Sequence, residues 1–266
     1  MKKYVLIIIF ILISSSGVCS SLKDLDKGLQ FYNFQGAVAG YNYDIYILKI
    51  NPDFYSLTLL MCSKTKQKPM TLKKWAEKYN FIAAINASMF WKDQRTSTGY
   101  MRSNKYINQK LIHKGYGGFF VFDPKDKDLP YVDIVERGKA IDSWKNLLER
   151  YNNVIQNFRM ISKNGKNLWR EKEKAFSVSA IGIDKKQNVL FIFSKFPVPM
   201  YYLNEILLKL PININGCLFT EGGSTSGLYI RYKDFEFESS GYSQIEVLPM
   251  SEQKQNIPNV LGIKKR

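Results

Sequence analysis

Residues 176–232 read FSVSAIGIDKKQNVLFIFSKFPVPMYYLNEILLKLPININGCLFTEGGSTSGLYIRY, and the order of patterns within them decides the fold class. Two apolar runs, 176–184 and 189–194, flank a short polar turn and predict a hairpin. Pro199 then opens a helix in which Met200, Leu203, Ile206, Leu207 and Leu210 share one face, and Pro211 stops it. Strand patterns return at 217–220 and 227–232, on either side of a glycine-rich turn. A helix that follows a hairpin does not belong to regular βαβ winding, so the pattern is α+β.

The flanking sequence extends the same reading. Residues 37–50 and 54–62 predict two strands joined by Asn51-Pro52-Asp53, a turn sequence. Thr71 is placed to cap a helix carrying Leu72, Trp75, Ala76 and Tyr79 at helical spacing, with Asn80 ending it and a buried strand at 81–85. A turn-rich stretch at 86–106 precedes strands at 117–122 and 131–136 and a helix at 141–151. Asn164-Gly165 signals a hairpin between Arg159-Met160-Ile161 and Leu168-Trp169, and Phe235 and Phe237 alternate with Glu236 and Glu238 in a half-exposed strand. No repeat or linker divides the chain. The expected fold is α+β: mixed, largely antiparallel sheets with a few inserted helices in a single domain.

The chain of 266 residues has 39 Lys and Arg against 23 Asp and Glu, a net charge of +16, one histidine and three cysteines. A multi-histidine zinc site, a four-thiolate metal site and a disulfide-stapled miniature fold are all excluded by those counts. The start, MKKYVLIIIFILISSSGVCSS, has two lysines, an apolar run at 5–13 and then small residues, the layout of a secretory signal over residues 1–20. Cys19 leaves lipid anchoring as an alternative, and an uncleaved signal is another; membrane contact is expected only in those two cases. Export, to periplasm, envelope or medium, turns the expected partner of a basic chain from nucleic acid to an anionic or phosphorylated glycan. Residues 21–35 then read as a lead-in, 36–250 as the domain and 251–266 as a C-terminal tail. Cys62 and Cys217 have two open readings, a disulfide or two separate buried thiols.

Polar residues that interrupt strand ends mark the candidate site. Asn86 follows a buried strand, where its amide suits a ligand oxygen. Glu221-Gly222-Gly223-Ser224 follows another, joining a carboxylate to a loop that lets main chain approach a ligand. Arg159, set among apolar neighbours, requires an anion, either an internal carboxylate or a bound phosphate. Lys195 ends a strand and could add a cation, and His113 reads as a surface or substrate-rim residue. Glu221, Asn86 and nearby carbonyls are hard oxygen atoms compatible with a divalent metal, although the spacing demands none.

The series AAINASMF, TGYMRSNKYIN, GGFFVFD, IQNFRMISKNGKNLW, SAIGIDKKQNVLFIFS and CLFTEGGSTSGLYI resembles, in its order, the phosphodiester glycosidase domain family, as a divergent bacterial branch. The likeness runs from about residue 35 to 250. It implies catalytic roles for Glu221 and Asn86 and substrate binding by Gln156, Arg159, Gly222, Gly223, Ser224 and Lys195. Two departures stand out: Glu221 replaces the usual aspartate, and Phe176-Ser177-Val178-Ser179 stands where many members carry an arginine. The implied activity is cleavage of a sugar-1-phosphodiester or related glycosidic bond, on a glycan or glycosyl-phosphate substrate. The alternative is a non-catalytic envelope glycan-binding protein on the same fold.

Overall fold

The structure, a computed structural model, describes residues 19–138, 141–171, 174–242 and 254–266. The signal expected at 1–20 lies, for residues 1–18, outside the described residues. The chain enters as a meander of β1 (Cys19–Asp26), β2 (Leu29–Val38) and β3 (Tyr41–Ile50). Gly28 (φ 76°) turns the first hairpin, and Ala39 and Gly40 (φ 48° and 81°) turn the second. Residues 37–50, expected as one strand, are therefore split at a left-handed pair. Residues 21–35, expected as a lead-in, run along β1 and into β2, which pair with each other around the Gly28 turn, with Leu29 and Phe34 buried.

Strand β4 (Tyr55–Met61), the single turn α1 (Cys62–Thr65) and α2 (Leu72–Tyr79) follow. Thr71 caps α2 as expected, accepting from Lys74 N, and Asn80 ends it in the left-handed region. Next come β5 (Ala83–Asn86), β6 (Met101–Ser103), β7 (Tyr106–Gln109), β8 (Gly118–Pro124), β9 (Val132–Glu136), α3 (Ile141–Glu149) and the long β10 (Tyr151–Ile161). The opening segment of the sequence reading becomes β11 (Ala175–Asp184), β12 (Val189–Pro199), α4 (Met200–Lys209), β13 (Ile214–Gly222), a 3-10 turn (Gly223–Thr225) and β14 (Gly227–Tyr232). Strands β15 (Phe235–Ser240) and β16 (Asn259–Lys265) complete the fold.

The strands form two sheets, and every pairing among the described residues is antiparallel. The larger runs β1-β2-β3-β12-β11-β13-β10-β6-β7, with β8 on β10 and β9 on β8; the smaller runs β15-β14-β5-β16-β4. Leu48, Ile181, Phe191 and Leu218 of the larger sheet pack against Leu59, Ile85, Leu228 and Leu261 of the smaller, forming the central core. Helix α4 covers the other face of the larger sheet, setting Leu203 and Leu207 against Ile47, Ala180 and Ile192. Trp75 and Ala76 of α2 cover the smaller sheet at Ala84, Tyr229 and Val260.

Of the stretch expected as a C-terminal tail, 251–266, residues 254–266 are described. Strand β16 sits between β5 and β4, and Val260, Leu261 and Ile263 are fully buried. Those three apolar residues complete two sheet ladders at once, which fixes the segment in the core. Cys62 and Cys217 are both buried, unbridged thiols in separate apolar clusters.

Candidate active site

Glu221 owes its position to an irregularity in β13. Ser179 lies opposite Glu221 and Ala180 lies opposite Phe219, so Thr220 is an extra residue in the ladder, held by its hydroxyl on Ser179 O (3.0 Å). Such a bulge re-aims the side chain that follows it. The Glu221 carboxyl is 8% exposed and accepts from Gly222 N at 2.9 Å. Burial lifts its pKa to about 7, against the opposing pull of the Gly222 N–H and the Thr225 hydroxyl. Gly223, at φ 69°, makes the turn behind the carboxyl. Next to it, a Cβ on Gly222 would stand 3.1 Å from both the Phe176 and Phe219 rings.

Asn86 is fully buried, and its amide is held on both sides. Its Nδ2 donates to Thr225 O at 2.9 Å, while its Oδ1 accepts from Ser179 Oγ (3.0 Å) and Gly227 N (3.1 Å). These bonds fix the orientation of the amide expected to meet a ligand oxygen. Asn86 ties the far end of the glycine loop, at Thr225 and Gly227, to β5 and to Ser179 of β11. It is also a poor metal ligand, since its oxygen already accepts two hydrogen bonds. Among the described residues no three His, Cys, Asp or Glu side chains gather to hold a metal.

Gln156 is a positioning residue. It too is fully buried, its Oε1 accepting from Tyr100 N and His113 N and its Nε2 donating to His113 O and Tyr116 O. The amide pins the 98–116 loop to β10. That loop delivers Tyr116, whose hydroxyl donates to Thr98 Oγ1 at 2.9 Å and whose ring packs 4.2 Å from Phe158 and 3.9 Å from His113. Burial raises the Tyr116 pKa, and the nearby Glu221 charge raises it further. Tyr116 and Ser179 are site neighbours that sequence reasoning missed. A recoverable signal existed for the second, since Ser177 and Ser179 interrupt an otherwise apolar strand.

Arg159 resolves to the first of its two readings, an internal carboxylate. Its Nη1 lies 3.3 Å from the Glu136 carboxylate, and the group is partly exposed. A Cβ on Gly117 would come within 2.8 Å of Arg159 Nε, so the bare glycine gives the guanidinium its bed. The Lys195 ammonium lies 5.9 Å from the Tyr242 ring, and Tyr242 N donates to Ser177 Oγ, which places Lys195 beside the glycine loop. Ser224 is half-buried in the 3-10 turn, and His113 is half-buried with its Nδ1 accepting from Gly115 N. The structure therefore gathers Glu221, Gly222, Gly223, Ser224 and Asn86 around one turn, links Gln156 to it through Tyr116, and ties Arg159 to Glu136.

A strand-end carboxyl of raised pKa on a glycine turn is a candidate acid–base group. The sequence profile of the phosphodiester glycosidase family matches residues 79–264, and the chain belongs to that family. The fold is shared with a hypothetical protein from Synechocystis (TM-score 0.64, 12% identity, 95% of this chain), of which the chain spans 65% of the length. It is also shared with the catalytic domain of zebrafish N-acetylglucosamine-1-phosphodiester alpha-N-acetylglucosaminidase, auto-inhibited by its pro-peptide (TM-score 0.61, 12% identity, 95% of this chain and 85% of that one). No curated protein matches the sequence. Phe176-Ser177-Val178-Ser179 lies beside Glu221: Val178 pairs with Gly222 and Ser179 with Glu221.

Proposed function

We propose that the protein is an exported hydrolase that cleaves a sugar-1-phosphodiester, or a related glycosidic bond of an envelope glycan. The observation that carries this reading is the Glu221 carboxyl, buried at the glycine turn with a pKa near 7. A phosphate monoester leaves readily, so a general acid is less needed than in ordinary glycoside hydrolysis. Glu221 in its ionised form takes a proton from the attacking water. The water oxygen bonds to the anomeric carbon as the bond from that carbon to the phosphate oxygen breaks, and the phosphate leaves with the electron pair. Arg159, exchanging Glu136 for the phosphate, and Lys195 hold the departing group, while Ser224 and the Gly222 and Gly223 main chain face the sugar. Asn86 and Gln156 hold these parts in place.

The signal-like layout of residues 1–20 supports export. No helix among the described residues is long and apolar enough to cross a membrane. The test is incubation with a panel of sugar-1-phosphodiesters, including N-acetylglucosamine-1-phosphodiesters, with and without divalent metal, following release of the phosphate monoester. Expected are turnover that rises with pH through about 7 and its loss in Glu221→Gln. Glycan binding without turnover across the panel, or a fully active Glu221→Gln, overturns the reading.

A further inference from the structure

On the far side of β10 from the glycine turn, the edge hairpin β6–β7 borders a groove of about 790 Å3. Its walls carry four cations, Lys64, Arg102, Lys105 and Lys125, and no carboxylate; the remainder are Ser103, Asn104, Asn152, Tyr106 and Ile107. Arg102 forms the floor and is 7% exposed. It is a fixed part of the frame: Nη1 meets the Glu149 carboxylate at 2.6 Å, and Nη2 donates to Leu148 O and Tyr151 O. Its Nε is buried with no hydrogen-bond partner beneath the groove.

The three lysines above it are exposed. Lys64 donates to the Ser103 hydroxyl and Lys125 to the main-chain oxygen of Glu149, both neutral acceptors. Among the described residues none of the three ammonium groups has a carboxylate within ion-pair distance. Two acids bordering these residues have other partners, Glu149 in Arg102 and Asp123 in the Asn152 amide at 3.1 Å. Three ammonium groups without a carboxylate partner line one concavity and make its potential positive, which favours an anion there. Lysines act as point charges toward phosphate, and the Ser103, Asn104 and Asn152 side chains add neutral donors.

We propose that this groove binds a chain carrying two or more phosphate groups, at a site separate from Glu221. Asn152 and Phe158 are six residues apart along β10, roughly 20 Å at strand rise, and Phe158 pairs with Phe219 beside the glycine turn. The concave shape favours a chain over a flat anionic membrane, which would need a protruding cationic face. The inference does not depend on the reaction assigned to Glu221.

The test is calorimetric titration of the protein with tripolyphosphate at two salt concentrations, for three proteins. These are the wild type, Lys64→Gln/Lys105→Gln/Lys125→Gln, and a charge-matched control, Lys74→Gln/Lys186→Gln/Lys209→Gln, whose exposed lysines lie on other surfaces. Expected is binding that the groove variant weakens by about tenfold and the control leaves within about twofold, with both variants melting like the wild type. Equal losses in the two variants would reduce the effect to net charge and overturn the site. Absence of tripolyphosphate binding by the wild type, or lysine-dependent binding only to vesicles of anionic phospholipid, overturns it as well.

Discussion

The Ser179 hydroxyl donates to the Asn86 amide oxygen at 3.0 Å, while the Ser179 main chain lies opposite Glu221 in the β11–β13 ladder. The same hydroxyl contacts Gly227 O (3.1 Å) and accepts from Gly227 N (2.8 Å). One small side chain therefore couples the end of the smaller sheet to the carboxyl carried by the larger. Replacing Asn86 by alanine strips Thr225 O of its side-chain donor and Gly227 N of one acceptor, and leaves the Ser179 hydroxyl only Gly227 O to donate to. The expected cost is about 2 kcal/mol, read as a lower urea midpoint at unchanged slope.

Glu221 makes stability depend on pH. Its folded pKa, about 7, lies above its ordinary value of 4.5, so its contribution is fully present below pH 4.5 and is lost as pH rises through 7. The loss is on the order of 3 kcal/mol. Thermal unfolding of wild type and Glu221→Gln from pH 4 to 8 should show the variant gaining relative stability between pH 4.5 and 7. Parallel curves would count against the buried carboxyl.

Gly241 supports the site from behind. A Cβ there would stand 2.2 Å from Gly223 O and 2.3 Å from Ser226 Oγ. Gly241→Ala must therefore push the turn that carries Glu221. Expected are a loss of about 1–3 kcal/mol in stability and, if the proposed hydrolysis holds, a fall in kcat larger than any rise in KM.

Deleting residues 254–266 removes β16 and leaves β4 and β5 without their shared neighbour. The shortened chain should lose its cooperative unfolding transition and near-ultraviolet circular dichroism. A folded, cooperative truncation product would contradict the position of β16.

The two thiols should resist labelling until the chain unfolds. Cys62 and Cys217 are both fully buried, and burial raises the pKa of each. Neither thiol reagent in the native state nor removal of reductant should change the melting temperature.

Legibility followed the range of the signal. Thr71 with Asn80, and Pro199 with Pro211, are local punctuation, and α2 and α4 appear where they predict. Residues 151–158, with three asparagines, conceal most of β10, because those amides are used at long range: Asn157 donates to Ala87 O and Asn152 to Asp123. Strand β16 was hidden for a similar reason, since a short apolar run behind polar residues becomes a strand only when two sheet edges receive it. At the site, Glu221 and its glycines could be picked out as a carboxylate at a turn. The functions of Asn86 and Gln156 could not, because a buried amide and a ligand-binding amide have the same sequence; only the partners differ.

The place of β16 also bears on how the chain comes to be folded. Its strand is the last in sequence yet lies inside the smaller sheet, between the fourth and fifth. Nothing that emerges earlier can close that sheet, and the face of the larger sheet that it covers stays wet until residue 265 has been delivered. Strands β4 and β5 therefore keep an unpaired edge from their synthesis until β16 arrives, the interval in which edge-to-edge association competes with folding.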